Sequence, residues 1–414
     1  MSASDSLTAL LTRSIHSGAA PGLVACAFDR TSTFASAAAG VASLETGAPM
    51  NVDTTMGLAS AGKILVSLAV LRLVERDGLN LDSHNELVKV VPELGKGYEG
   101  SHTLRHLLTH TSGLGIEFSS VEVAWLLEQE TMNLGHPRPL NAFEHYNIPR
   151  LAEAGTAYHY GRSPGFLALF ILRKTGTNFR QAMQDLVLSP LGVHPDTLDT
   201  FCTPLMKLDC AEICARGPDG IFVPLPSGFE VPMYEGHVPA GFLPLADGPF
   251  IGKLPVFAEV LRLFFNNTAP AAGGKSLLSP ELFEQATADD LKKRGIDIKQ
   301  RPFWQSPLPN RTSDLQSWAK PKTQGSNDAL GWSLLQTLVH RAETHTGLKP
   351  GTLEWGGLMN TYFFLDVSSG LGGVISAQYL PFLDPKMLEA RDEFARWVYE
   401  HGRGQDGKRA KARL

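Results

Sequence analysis

Apolar positions follow a helical period in some parts of the chain and occur as short runs in others. Residues 64–73 are densely apolar, and the polar stretch 75–78 that follows ends in glycine, which predicts a buried helix with a defined stop. Similar patterns predict helices at 6–17 and 386–401. Short apolar runs bounded by turn residues predict strands at 23–28, 32–43, 330–338, 353–355, 361–367 and 372–378.

The middle of the chain is helical and rich in loops. Helices are predicted there at 103–109, 120–132, 164–175, 179–188, 254–265 and 279–292. The stretches 202–252 and 301–327 show little periodicity and predict long loops, which often shape a substrate site. We therefore predict an α+β fold. An antiparallel sheet flanked by helices is built from 1–78 and 325–401, and a mostly helical part, 79–324, is inserted between them.

Composition narrows the class of protein. With 414 residues, 43% hydrophobic and 19% charged, the chain has the composition of a globular protein of about two domains. A net charge of -5 gives no reason to expect nucleic acid or an anionic membrane as partner. No apolar run is long enough to span a bilayer, and no secretory signal is evident, so we expect an intracellular protein. The four cysteines complete neither a disulfide framework nor a zinc pattern, and we expect no metal and no cofactor.

The C-terminal residues 402–414 are polar and basic, which is typical of a flexible solvated tail. The last three, Ala412, Arg413 and Leu414, are a conservative version of the S-K-L peroxisomal address. We therefore keep two locations, the cytoplasm and the peroxisome, and the second implies an import receptor as partner.

One pair of residues predicts nucleophilic chemistry. Ser60 and Lys63 stand three residues apart at the start of the helix predicted over 64–73, so they share a helix face and can meet. An amine beside a serine at a helix N-terminus can make the hydroxyl nucleophilic without a histidine. The spacing alone is weak, because Ser317 and Lys320 repeat it. There Pro321 follows at once and no helix is predicted.

The stretch 155–166 is a second candidate region. Tyr160 within it could exchange a proton with a serine if an ammonium group lowered its pKa, although core packing is the simpler interpretation of a single tyrosine. The stretch also contains a G-x-S-x-G match centred on Ser163. We reject a nucleophile elbow there, because Pro164 has no N–H group for an oxyanion hole.

A third candidate region is Trp355, Gly356 and Gly357, between two predicted strands. Glycines at such a position permit close approach of a ligand to backbone N–H groups, and a bulge or tight bend is the alternative.

Taken in order, these residues resemble the serine β-lactamase-like family. That family includes class C β-lactamases, D-Ala-D-Ala peptidases, family VIII carboxylesterases and the acyltransferase of statin biosynthesis. The likeness extends over about 7–400, and it is carried by Ser60-x-x-Lys63, the stretch 103–114 (TLRHLLTHTSGL), Gly155-Thr to Tyr160, and Trp355-Gly-Gly at the family's Lys-Thr-Gly position. It implies a sheet-plus-helical fold with the site between the two parts.

The resemblance also implies roles. Ser60 is the nucleophile that becomes acylated, and Lys63 and Tyr160 share its proton. Which of these two is the base stays open, because they would titrate as a coupled pair. The backbone N–H groups of Ser60 and Leu358 would form the oxyanion hole.

Two departures from the family pattern bear on the substrate. Arg162 stands at the third position of the Tyr-x-Asn motif, and Trp355 replaces the lysine of the third motif. Both changes remove groups that would hold the amide or carboxylate of a penicillin or peptide. Arg162, Trp355 and the two glycines after it are the predicted substrate-binding set, and the tryptophan suits an apolar acyl group. By the same resemblance, His106 and His110 are structural.

We therefore expect a serine esterase or acyltransferase that acts on a small-molecule ester or thioester through acyl-Ser60, in secondary metabolism. The acyl acceptor is water, an alcohol or an amine. The alternatives are a β-lactamase or D-amino peptidase type of hydrolase, and an inactive penicillin-binding-like scaffold. Retention of Ser60, Lys63 and Tyr160 together speaks against the scaffold, because binding alone does not need all three.

Overall fold

The computed structural model describes residues 2–95, 102–116, 123, 150–225, 232–238, 250–298 and 330–402. The helices in these ranges are α1 Ala3–His16, α2 Lys63–Asp77, α3 His84–Val90, α4 Leu104–Leu108, α5 Ser163–Thr175, α6 Phe179–Met183, α7 Pro204–Lys207, α8 Leu254–Asn266, α9 Pro280–Thr287, α10 Asp290–Lys293 and α11 Pro385–His401. No helix among the described residues is long and apolar enough to cross a membrane.

Most of the strands are short. They are β1 Gly22–Asp29, β2 Thr33–Gly40, β3 Thr55–Gly57, β4 Leu198–Asp199, β5 Cys214–Arg216, β6 Phe222–Pro224, β7 Ile251–Lys253, β8 Thr268–Ala269, β9 Lys275–Ser276, β10 Leu330–Trp332, β11 Leu338–His340, β12 Leu353–Gly357, β13 Thr361–Asp366, β14 Leu371–Ser376 and β15 Tyr379–Leu380.

Seven strands form the principal sheet, in the order β10-β11-β12-β13-β14-β1-β2, with every neighbouring pair antiparallel. The N-terminal strand β1 joins the C-terminal strand β14 with Val24 opposite Ser376, so both ends of the chain meet in one sheet. The predicted α+β fold is confirmed. The domain boundaries given above remain a prediction, and residues 403–414 lie outside the described part.

The sheet separates two hydrophobic cores, because successive side chains of a strand point to opposite faces. On β1, Val24 and Cys26 face the core that contains α2, α5 and α8, whereas Leu23 and Ala25 face the core that contains α1 and α11. Small residues let the helices approach closely. At Gly373, a Cβ atom would lie 2.7 Å from the Phe394 ring of α11.

Helix α2 is the buried centre of the helical part. All but one of its first twelve residues are buried, the exception being Arg72, and it ends at Gly78 with a φ of 62°. A helix that is apolar on all sides must be enclosed by other elements. The sequence predicted both this helix and its stop. Ser60 lies just before it, in a 3₁₀ turn over Ala59–Gly62.

Several other predicted elements differ in detail. The strand predicted at 330–338 is wrong, because a turn closed by Ser333 and Thr337 divides it into β10 and β11. The helix predicted at 279–292 is two helices, α9 and α10. Residues 179–188 begin as α6 and continue as a π-helical turn. The predictions at 120–132, apart from Val123, and at 301–327, including Ser317 and Lys320, lie outside the described residues.

A partly buried ion-pair network attaches the 103–114 stretch to its surroundings. Arg105 Nε lies 2.9 Å from Asp82 Oδ1, and Arg105 Nη1 lies 2.8 Å from Asp290 Oδ1 on α10. The side chain of Asp290 is only 5% exposed, and Arg294 contacts both carboxylates. Removing Arg105 would leave a buried carboxylate with one cation in place of two.

We expect Arg105→Ala to lower the free energy of unfolding by about 3 kcal/mol, because a buried carboxylate loses its closest counter-charge. Arg76→Ala is the control: Arg76 is 50% exposed, and its pair with Asp77 should contribute less than about 1 kcal/mol. Urea denaturation measures both. Equally small decreases in the free energy of unfolding for both variants would show that the network contributes little to stability.

Candidate active site

Ser60 is positioned by the end of strand β3. The Gln378 side chain forms two hydrogen bonds with Gly57, the last residue of that strand. Its Oε1 accepts from Gly57 N–H at 3.0 Å, and its Nε2 donates to Gly57 O at 3.1 Å. The chain then turns at once into the 3₁₀ turn, where a Cβ atom on Gly62 would lie 2.5 Å from the ring of Phe250. This tight packing fixes the turn while leaving Ser60 partly exposed.

The Ser60 hydroxyl meets an amine and a phenol. Lys63 Nζ donates to Ser60 Oγ at 2.8 Å, and Tyr160 OH donates to the same oxygen at 3.1 Å. Lys63 is fully buried, and its Nζ lies 5.2 Å from the centre of the Tyr160 ring. The structure thus brings together the three residues that the sequence singled out, although Tyr160 is 100 positions away from Ser60.

The 103–114 stretch holds the segment that carries Tyr160. His159 N–H donates to His110 O at 2.8 Å, and Gly161 N–H donates to His110 Nδ1 at 3.3 Å. A Cβ atom on Gly161 would lie 1.9 Å from Leu114 O, so only glycine permits this approach. Both backbone neighbours of Tyr160 are therefore anchored to one stretch.

His110 and His106 support this segment. Burial, and then the positive charge of Lys63, hold the pKa of His110 well below its usual range, so His110 is neutral. Its ring lies 4.5 Å from the Tyr160 ring, centre to centre. His106 lies under Gly155, where a Cβ atom would come within 2.8 Å of its Nε2.

An aromatic wall, defined as Tyr160, Trp332 and Trp355, borders the site. Trp355 lies 5.3 Å from Tyr160 and 4.7 Å from Trp332 between ring centres, and Trp332 Nε1 donates to Leu108 O at 3.2 Å. Sequence reasoning missed Trp332. In the sequence, Trp332 is an aromatic residue within a predicted strand. That pattern does not indicate that the strand faces the site.

The two glycines after Trp355 allow strand β12 to lie against the turn that carries Ser60. A Cβ atom on Gly357 would lie 2.1 Å from Leu58 O. Gly357 also pairs with Thr361, and Leu358 is the first residue of the hairpin that follows. The sequence predicted that a ligand could approach closely at these glycines. The structure shows that the backbone of Leu58 also approaches Gly357 closely.

Arg162 and Ser163 begin helix α5 beside Tyr160. Arg162 is 2% exposed, and Ser163 Oγ hydrogen bonds with Ser112 Oγ at 2.6 Å. The Ser163 hydroxyl, which directly follows the position of the family's asparagine, thus has a partner in the 103–114 stretch. A role of Arg162 in substrate binding stays a prediction. In the described part of the chain, no group of three or more His, Cys, Asp or Glu residues could hold a metal ion.

Three comparisons relate the chain to known proteins. A model of the β-lactamase family matches residues 7–200. Esterase EstB of Burkholderia gladioli is 30% identical over 385 residues, which is 86% of each protein. Lovastatin esterase of Penicillium rubens is 29% identical over 93% of this chain and 96% of its own length. The structure of simvastatin synthase (LovD) from Aspergillus terreus has a TM-score of 0.74 and 21% identity, over 98% of this chain and 100% of that chain, and indicates a shared fold.

Two buried histidines predict a loss of stability in acid. Burial, together with nearby positive charges, lowers the pKa of His102 to about 4, and the pKa of His110 is also depressed. Because the unfolded state binds these protons more readily, the stability is present above about pH 6.5 and is lost as the pH falls below it.

We expect the free energy of unfolding to fall by about 1.4 kcal/mol per pH unit for each such histidine below that value. Urea denaturation at pH 7, 6 and 5 measures this slope, which His102→Gln should reduce. His237 is exposed, and His237→Gln should leave the slope unchanged. A flat profile in the wild-type protein would contradict the prediction.

Proposed function

The chain belongs to the β-lactamase-like family of serine enzymes, and we propose that it is an esterase or acyltransferase that reacts through an acyl-Ser60 intermediate. The observation that carries the proposal is the position of Ser60 Oγ, within hydrogen-bond distance of both Lys63 Nζ and Tyr160 OH. A serine that only binds ligand would need neither partner.

In the proposed mechanism, Ser60 Oγ attacks the carbonyl carbon of the acyl donor while its proton passes to Lys63 and Tyr160, which act as a coupled pair. The backbone N–H groups of Ser60 and Leu358 stabilise the oxyanion of the tetrahedral intermediate. The intermediate then expels the alcohol or thiol, which takes the proton from the same pair. Water, an alcohol or an amine later attacks acyl-Ser60 by the reverse sequence.

The aromatic wall supports an apolar acyl group on a neutral ester or thioester. Trp355 packs against Tyr160 beside Ser60, where a cation would be needed to hold a substrate carboxylate. The two curated relatives described above are esterases, one of them named for lovastatin, and this supports a small-molecule ester from secondary metabolism as substrate. A β-lactamase or peptidase activity is less well supported, because Trp355 and Arg162 replace the groups that would recognise its substrate.

Intact-mass measurement after brief mixing with p-nitrophenyl butyrate tests the proposal. We expect wild-type protein to gain one butyryl group and Ser60→Ala to gain none, because Ser60 Oγ is the hydroxyl oxygen that both Lys63 Nζ and Tyr160 OH contact. Ser317→Ala is the control from the other S-x-x-K pair and should be acylated like the wild type. Absence of both an adduct and nitrophenol release, together with failure of a fluorophosphonate probe to label Ser60, would favour the inactive scaffold.

Two tyrosines provide a matched comparison within this experiment. Tyr160→Phe should slow acylation by about 10²- to 10⁴-fold, since it removes a group that shares the proton of Ser60. Tyr158→Phe should acylate at close to the wild-type rate. The Tyr158 hydroxyl is buried without a hydrogen-bond partner in the described part of the chain, so its removal leaves no polar group unsatisfied. Equal effects of the two variants would contradict the role given to Tyr160.

Competition between water and an added alcohol distinguishes hydrolysis from transfer. The ratio of the butyrate ester to free butyrate should rise with alcohol concentration if acyl-Ser60 waits for an acceptor. If this ratio does not change with added alcohols or amines, only the esterase hypothesis remains.

We also propose peroxisomal import through Ala412, Arg413 and Leu414, which lie outside the described residues. Small, basic and leucine residues in this order are the chemistry that the import receptor reads. An N-terminal fluorescent fusion should collect in peroxisomes of eukaryotic cells, and deletion of the tripeptide should release it to the cytosol. Cytosolic fluorescence for both proteins would contradict the proposal.

A further inference from the structure

Gln336 occupies a fully buried position behind the site. It lies in the turn between β10 and β11 and has a φ of 56°, which few non-glycine residues adopt. Its Nε2 donates to Ser67 Oγ at 2.8 Å. Ser67 is one helical turn beyond Lys63 on α2, so Gln336 is fastened to the helix that carries the amine of the site.

The other end of the Gln336 side chain faces His110. Because His110 Nδ1 accepts the Gly161 N–H, the proton of the neutral imidazole is on Nε2. His110 Nε2 and Gln336 Oε1 are both buried, and neither has a hydrogen-bond partner among the described residues. The amide raises the pKa of His110 against the larger lowering effects, as an acceptor near Nε2 would. The two atoms are complementary, an Nε2–H donor and an amide oxygen acceptor, and each is the kind of partner that the other lacks.

Building on the proposed function, we propose that Gln336 is a positioning residue that holds His110 in its Nε2–H tautomer. In this state Nδ1 accepts from Gly161 and keeps the adjacent Tyr160 in place. A doubly protonated imidazole would present Nδ1–H to the Gly161 N–H, and two donors cannot form a hydrogen bond. Gln336 thereby couples the helix of Lys63 to the segment of Tyr160.

The surroundings of His110 favour the neutral ring. Lys63 on α2 contributes a positive charge, and the rings of Tyr158, Tyr160 and Trp332 pack against the imidazole. Gln336 faces it from the turn between β10 and β11. A neutral acceptor at this position fits a neutral imidazole, whereas a carboxylate there would favour the protonated form.

The test replaces the neutral acceptor with its isosteric acid. In Gln336→Glu, protonation of His110 should produce an acid limb absent from the wild type, with kcat for p-nitrophenyl butyrate falling about tenfold per pH unit and KM nearly unchanged. Gln184→Glu, at another buried glutamine, is the matched control and should keep the wild-type profile shape. A Gln336→Glu profile identical in shape to that of the wild type would overturn the proposal.

A double variant identifies the group that titrates. Asparagine tolerates the φ of 53° at His110, and its Oδ1 can accept from Gly161 without titrating. His110→Asn in the Gln336→Glu background should therefore abolish the new limb. A limb that persists would belong to Lys63 or Tyr160 and would overturn the role of His110. If Gln336→Glu does not fold, Gln336→Leu should lower kcat at every pH, and a wild-type kcat would overturn the proposal.

Nitrogen NMR of ¹⁵N-histidine-labelled protein provides a readout that does not depend on turnover. The His110 signal, identified by its loss in His110→Asn, should show the Nε2–H tautomer in the wild type and double protonation in Gln336→Glu at low pH. An Nδ1–H tautomer in the wild type would overturn the inference even if the enzyme is active. Absence of Ser60-dependent turnover would instead overturn the proposed function, while the NMR signal still decides the tautomer.

Discussion

A lysine amine without access to solvent is the constraint on which this site depends. Burying an amine is costly unless it is hydrogen bonded, and Lys63 is fully buried with its Nζ on Ser60 Oγ and over the ring of Tyr160. Ser60 comes from the turn just before α2, whereas Tyr160 comes from a separate segment. The fold must therefore bring two distant parts of the chain to one amine.

Close backbone approaches at two glycines make this possible. Gly161 lies against Leu114 O, and Gly357 lies against Leu58 O, at distances that no Cβ atom could occupy. The first approach fixes the segment of Tyr160 to the 103–114 stretch, and the second fixes strand β12 to the turn of Ser60. Backbone packing of this kind is rigid, which suits groups that must stay within hydrogen-bond distance of one oxygen.

The fold is shared by enzymes of different activities, so the chemistry has to be argued from the site. In the proposed mechanism, Ser60, Lys63 and Tyr160 supply the parts of an acyl-transfer reaction, and these parts do not by themselves choose the substrate. That choice depends on the surface beside them. An indole at position 355 offers dispersion contacts and no cation, which is why we propose apolar acyl groups rather than carboxylates as substrates.

The sequence by itself determined the local elements and the chemical residue types. The periodicity of α2 and its glycine stop, the helices at both ends and the pairing of Ser60 with Lys63 all depend on neighbours within a few positions. The single strand predicted at 330–338 was wrong, because an apolar run does not reveal the turn that divides it into β10 and β11. Only the tertiary structure decided that Trp332 joins the aromatic wall and that Gln336 hydrogen bonds to Ser67 on α2. Such contacts depend on strand register and helix packing across more than two hundred residues, which local periodicity does not encode.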